Sequence, residues 1–442
     1  MGYNDANVNV LNYLFTGILL FVFALIPLLA LSQEVPMDTL RTDSARFETI
    51  LPTEPDTLTQ YDIADLARAI FYPNRNKRDV VPTVITIIPN IAANPTIGFQ
   101  IGIKAVGGKK LGKDPATFMS VAATSATITT KGIINFYFTH NVFTEGNKWN
   151  IQGSLVAARS VVPDYGLGIG VGDYSSIENQ VLTNPERTGY VFHSLFLSFR
   201  EKIYKEVRKN LFAGAGVSFD IRRRVEDRFS PTPVTPYTIY NKRMGYSNNH
   251  YSSNGLLFNV QFTTRDNQNR AYRGMYADAG FRLNQTWMGS TKNALQFTAD
   301  VRKYWSLSSR NPEHVIAWWN WGAYLIRGSL PYLELAGIGK DPASRSGRGY
   351  KIGYFKGTQF QYSEIEYRFP IMTNKFISGA AFFNIQSSND LVGTRLFQQW
   401  QPGGGAGLRV LFNKSTRTNL CLDYAFGKFG SGGFFLGINE TF

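Results

Sequence analysis

The chain has 442 residues, of which 43% are hydrophobic and 14% aromatic, with 41 glycines and a formal net charge of +14. Its slightly negative mean hydropathy excludes a bundle of membrane helices, each of which needs about 20 consecutive apolar residues. The single cysteine, Cys421, excludes an intrachain disulfide framework and a thiolate metal cluster. Lys and Arg are scattered over turns and strands rather than gathered on one stripe, so nucleic acid is not the partner they indicate.

The one long apolar run, Ile18 to Leu31, lies at the N-terminus and is interrupted by Pro27. Ala30-Leu31-Ser32 before Gln33 fits a small-x-small cleavage site, so residues 1–32 are expected to be a signal peptide, although no Lys or Arg precedes the run. Residues 33–80 then form a periplasmic leader. It is rich in Pro, Thr, Asp and Glu without periodicity, until Ile63, Leu66, Ile70 and Phe71 set a helical spacing. That spacing predicts one short amphipathic helix over Tyr61 to Phe71, packed under the mouth of a β-region that begins at Val81.

From Val81 to Phe442 the apolar period is two. Phe258, Val260 and Phe262 alternate with polar residues; so do Leu295, Phe297, Ala299 and Val301. The opposite face carries Asp278, Arg282 and Asn284 in one strand and Ser218, Asp220 and Arg222 in another. A soluble sandwich also alternates, but charges repeated strand after strand cannot line a dry core without large desolvation cost. The apolar face must therefore meet lipid, and the fold class is all-β: an antiparallel transmembrane β-barrel.

Alternation and turn residues place strand starts near Val81, Ile97, Thr117, Lys131, Lys148, Gly189, Asn210, Asn254, Gly274, Ala294, His314, Gln359, Ile377, Gly404, Arg417 and Gly432. That makes a 16-stranded barrel, an even number. Short connections follow even strands, and the three longest, near 161–188, 225–253 and 327–358, follow odd ones. The first strand contains Pro89, which cannot donate to a ladder. The last reads as a closing strand to Phe442, with Phe434, Leu436, Ile438, Glu440 and Phe442 on the lipid face. A weak seam between first and last strands is expected.

The long connection before the twelfth strand contains Arg348-Gly349-Tyr350. Glu366-Tyr-Arg-Phe-Pro370 follows in that strand, and Phe382-Phe-Asn384 in the next. This ordered set resembles the BamA/TamA superfamily of outer-membrane barrels, the bacterial surface antigens, over about Val81 to Phe442. Pro163-Asp-Tyr-Gly-Leu-Gly is similar to a stretch of Bacteroidota members. The resemblance implies that Arg348 folds back into the lumen, with Glu366 as its partner on the twelfth strand and Phe382 and Asn384 on the thirteenth. Asn384 and Gln386 stand where the family has Asp and Gly, which leaves one acceptor neutral and implies a weaker clamp. About 48 residues between Gln33 and Val81 are too few for a POTRA domain, so a member without one is expected.

No Ser sits in a G-x-S-x-G elbow, the four histidines are dispersed, and no metal-ligand spacing occurs, so neither an enzyme nor a metal or cofactor is expected. The resemblance implies a cell outer membrane location and a barrel assisting insertion or translocation of protein or lipid. The alternative is a passive pore, a receptor or a structural component of an outer-membrane complex. Expected partners are outer-membrane lipids, lipopolysaccharide facing the cationic loops, and other outer-membrane proteins or lipoproteins.

Overall fold

A computed structural model of the protein describes residues 60–63, 65–66, 85–94, 97–114, 117–170, 175–227, 234–414 and 416–442. The expected signal peptide, most of the leader and residues 81–84 lie outside the described residues. The strands are β1 (Ile85–Pro89), β2 (Ala92–Asn94), β3 (Gly98–Lys110), β4 (Met119–Thr129), β5 (Ile134–Phe143), β6 (Trp149–Asp164), β7 (Tyr190–Arg208), β8 (Leu211–Asp227), β9 (Tyr251–Thr263) and β10 (Gly274–Asn284). They continue as β11 (Ala294–Ser306), β12 (Val315–Gly328), β13 (Ala336–Gly337), β14 (Lys356–Gly357), β15 (Gln359–Pro370), β16 (Ile377–Ser388), β17 (Gln401–Asn413), β18 (Thr418–Gly427) and β19 (Gly432–Ile438).

All but β13 and β14 belong to one antiparallel sheet of 17 segments. Two of these, β1 and β2, pair with the same neighbour, β3, and form one wall strand broken at Asn90-Ile91. The wall thus has 16 strands, and β19 closes it against β2. Each expected strand has its counterpart in this wall.

Burial follows the period-two pattern. On β15, Glu364, Glu366 and Arg368 point inward while Ile365 and Tyr367 are exposed. On β3, Phe99, Ile101 and Ile103 are exposed, as are Leu422, Tyr424 and Phe426 on β18. So much outward apolar surface in a continuous band belongs in lipid, not water. Trp149 and Trp305 expose their rings at the short-turn end, where an aromatic girdle meets the interface. No described helix is long and apolar enough to cross a membrane.

The wall is uneven. β6, β7 and β8 have 16, 19 and 17 residues, whereas β19 has 7 and β2 only 3. About 9–11 residues suffice to cross the hydrocarbon, so the tall side projects well beyond it. The three long connections gather at that end. They carry helix α1 (Ile177–Thr183), helix α2 (Pro236–Met244) and the β13–β14 hairpin. Phe192, Tyr237, Tyr240, Leu330, Tyr332 and Leu333 form their shared apolar core, with Tyr240 and Tyr332 rings 5.2 Å apart.

The closing strand differs from its sequence reading. β19 ends at Ile438, and Asn439 takes a left-handed backbone (φ 69°) that turns the chain into the barrel. Glu440 and Phe442 therefore lie in the lumen rather than on the lipid face. The physical reason is charge: Glu440 meets Arg409 at 2.8 Å inside, where lipid would have offered it no partner. Phe442 comes next and packs against Trp319 at 5.3 Å. Of the expected N-terminal helix, the described part is one turn after Asp62, which accepts the Asp65 N–H at 3.0 Å while Asp65 accepts the Asp62 N–H at 3.2 Å.

Candidate functional site

The connection between β12 and β15 enters the lumen and crosses it. It is held at its near side by Glu334, which accepts hydrogen bonds from Arg222 of β8 at 2.9 Å and the Tyr251 hydroxyl of β9 at 2.8 Å. Lys356 pairs with Asp164 of β6 at 2.5 Å, and the Gly168 N–H donates to the Lys356 carbonyl at 2.7 Å. The Tyr332 hydroxyl also donates to Asp164, at 3.0 Å, and the Lys356 ammonium lies 3.6 Å from the centre of the Tyr332 ring. Burial pushes the Lys356 amine down, and Asp164 opposes the shift. Burial also pushes the Lys340 amine down to about 8, against the pull of Glu334 and with Arg222 and Lys356 adding to it.

At the far side sits Arg348, 4% exposed. Its Nη2 lies 2.5 Å from carboxylate oxygens of both Glu364 and Glu366 on β15, and its Nη1 donates to Asp423 of β18 at 2.9 Å. The guanidinium lies 3.5 Å from the centre of the Phe382 ring of β16, a cation–π contact inside a desolvated site. Asn384 does not face the guanidinium. Its amide donates to the Arg348 main-chain carbonyl at 3.0 Å, and the acceptor lost to a neutral side chain is supplied by Glu364 and Asp423. Three carboxylates surround the one arginine.

Two neighbours fix the backbone. Gly349 has φ 101°, and a Cβ there would stand 2.6 Å from the Phe426 carbonyl oxygen, so the turn requires glycine. Tyr350 is buried, donates to the Pro402 carbonyl and accepts the Lys428 N–H at 2.9 Å. Its ring lies over Gly427, where a Cβ would come within 2.3 Å of it.

The charges extend beyond these residues. Arg368 donates to Glu366 at 2.6 Å and to the Phe442 main-chain oxygen at 2.8 Å. Arg409 bridges Glu440 at 2.8 Å and Asp423 at 2.5 Å. Arg345 donates to the main-chain carbonyls of Ile438, Asn439 and Glu440 at 2.8, 3.0 and 3.0 Å. Sequence reasoning missed Glu364, Asp423, Arg345 and Arg409 as members of this network. Their inward parity was a usable signal for those on strands; nothing comparable marks Arg345.

At the seam, among the described residues, β19 and β2 share one registered pair, Leu436 with Ala93, whereas β18 and β19 share seven, from Leu420–Ile438 to Phe426–Gly432. Pro89 ends β1 opposite Ile103, just before the break in that strand. Phe442 takes no part in the ladder.

Residues 134–442 match the Omp85 superfamily domain. The chain belongs to the Omp85 superfamily. No curated protein matches it by sequence. Among solved structures, this Omp85 barrel is similar to BamA from Haemophilus ducreyi lacking POTRA domains 1-3. The identity is 13% and the TM-score 0.51, over 80% of this chain and 69% of that one. It is also similar to CdiB from Escherichia coli at 9% identity and TM-score 0.54, over 82% of this chain and 63% of that one. The chain thus spans less than two thirds of the CdiB chain. At such identities the likeness establishes the fold, and superfamily membership with the lipid-facing wall makes this an outer-membrane protein.

Proposed function

We propose that this Omp85 barrel assists the insertion or translocation of protein or lipid at the outer membrane, through its seam, with the Arg348 loop acting as an internal plug. The single observation that carries the reading is the one-pair junction between β2 and β19. Among the described residues every other junction of the wall is zipped by a longer ladder, so parting the wall costs least at the junction where Leu436 meets Ala93. On the β1 side the ladder cannot run on, because β19 ends at Ile438 and Asn439 turns the chain inward. The seam side is also the low side of the wall, and a short hydrophobic wall thins the adjoining bilayer. A parted seam beside thinned lipid lowers the cost of placing a new strand in the membrane.

The loop supports this over a passive pore, because it spans the lumen between the Arg222 and Arg348 clamps and occupies the conducting path. Arg348, Gly349 and Tyr350 hold the plug, and Glu366, Phe382 and Asn384 receive it. Other outer-membrane proteins and lipoproteins are the partners this reading implies. The test is a disulfide between Ala93→Cys and Leu436→Cys, which face each other across the seam, in a Cys421→Ser background. Cells depending on this variant should lose outer-membrane proteins or lipids under oxidation and regain them with reductant. Full function with the bridge closed would sink the proposal.

A further inference from the structure

We infer that the cavity behind the seam binds a phosphate-bearing amphiphile. The cavity has a volume of about 420 Å³ and lies between the inner faces of β2–β5, the ends of β18 and β19, and loop residues 343–352. That size falls within the usual range of small-molecule sites, about 300–1,000 Å³.

Its polar half is built on one cross-strand row. Lys104 of β3 is in register with Ser125 of β4, and Ser125 with Tyr137 of β5. Thr139 and Gln100 stand beside that row, and Arg345 faces it from the loop. Among the described residues no carboxylate pairs with Lys104, and the charge that acts on it is the Arg345 guanidinium. Arg345 is anchored, but by the neutral carbonyls of Ile438, Asn439 and Glu440, so its charge is not cancelled there. The nearby acids make their hydrogen bonds and ion pairs with other groups than these two side-chain cations, and Asp423, which lines the cavity, is held by Arg348 and Arg409. Asp341 accepts the N–H groups of Arg345 and Ser346 and the Ser346 hydroxyl, and Glu440 is taken by Arg409.

Lys104 and Arg345 thus face one cavity with hydroxyl donors around them; the other charges on its lining, Arg348 and Asp423, are paired with each other. A lysine point charge beside an arginine fork is a phosphate-binding pair, and an anion between them relieves their mutual repulsion. The other half of the cavity is apolar: Ile91, Ala92, Ala93, Ile352, Leu436 and Ile438. Most of these belong to β2 and β19 or their ends, at the seam, where Leu436 pairs with Ala93. Phosphate chemistry on one side and an apolar path to lipid on the other select an amphiphile. The site exists in the closed wall, so it stands or falls separately from seam opening.

The experiment is native mass spectrometry of the whole chain in neutral detergent, titrated with phosphatidylglycerol, with phosphatidylcholine of identical acyl chains, and with inorganic phosphate. One phosphatidylglycerol should bind. Lys104→Gln should weaken it at least tenfold, as should Ala123→Leu, which fills the cavity without touching a charge. Lys131→Gln, on an exposed turn, should leave binding unchanged. Binding of phosphatidylglycerol that inorganic phosphate does not displace identifies a lipid headgroup as the source; displacement at millimolar phosphate identifies the free anion. Equal binding of phosphatidylcholine, or retention of phosphatidylglycerol by both folded variants, overturns the inference. Folding of each variant is read from the shift between boiled and unboiled gel bands.

Discussion

Replacing Arg348 with alanine is the sharpest perturbation of the plug. The substitution removes a cation that touches Glu364, Glu366 and Asp423 at once. Two of these keep another partner: Glu366 retains Arg368 and Asp423 retains Arg409. Glu364 retains only the Tyr362 hydroxyl, so one buried carboxylate is left without a cation. Breaking a buried pair in this way costs about 3–5 kcal/mol. The surviving partners put the expected cost near the lower end, and loss of the Phe382 cation–π contact adds about 1 kcal/mol. The cost falls on docking of the loop, because the wall ladders are untouched. At about 1.4 kcal/mol per tenfold, the total of about 4 kcal/mol should make undocking of residues 347–352 several hundredfold to about a thousandfold more frequent. Hydrogen exchange of those amides in detergent micelles measures it directly, with the wall amides as an internal standard. Exchange within threefold of the parent would refute the clamp, as would an equal acceleration throughout the wall.

Gly349→Ala should undock the same loop without removing any charge, through φ 101° and the Phe426 carbonyl, at a cost of about 1–3 kcal/mol; parent-like exchange of Tyr350 would count against it. Lys340 gives a pH signature. Its folded amine titrates near 8 and its unfolded amine near 10.5, so the unfolded state binds the extra proton between those values. Stability of the docked loop should therefore rise from about pH 8 to 10.5, relative to Lys340→Met, which lacks the step; coincident pH profiles for the two proteins would disprove it. Phe442→Ala removes a ring packed on Trp319 and Tyr304 and should destabilise the barrel by about 3 kcal/mol, read as earlier loss of the compact band on heating before electrophoresis. An unchanged band would place that ring outside the lumen packing.

Wall architecture was legible because each strand carries the same instruction: apolar outward, ionic inward, with turns between. The sixteenth strand was legible only to Ile438. Its parity runs on without a break through Glu440 and Phe442, and parity cannot report that Asn439 adopts φ 69°. The misfit was Glu440 itself, a carboxylate assigned to lipid, which is the sort of conflict that an inward turn removes. Asp423 and Arg409 were visible as inward charges, but their meeting with Arg348 depends on the wall curving round; Arg348 and Asp423 are 75 residues apart. Helix α2 shows the converse. Thr235-Pro236 at its start and Gly245 after its end are readable cap signals, yet periodicity in so short a stretch with polar faces gave no helix to expect.

Tyr61, Asp62 and Asp65 rest on two of the short connections, at the end of the wall opposite the three long ones. Tyr61 donates its N–H to the Asn374 carbonyl at 3.1 Å and sets its ring on edge to Phe376 at 5.4 Å. Lys414 meets Asp65 at 2.7 Å. Those connections join β15 to β16 and β17 to β18, the strands that present Glu366, Phe382 and Asp423 to the plug. A pull arriving at Tyr61 and Asp65 would therefore load the strands that grip Arg348. Tension arriving from below would be felt first by the grip and only afterwards by the junction, giving the barrel a mechanical input distinct from anything that enters through its lumen.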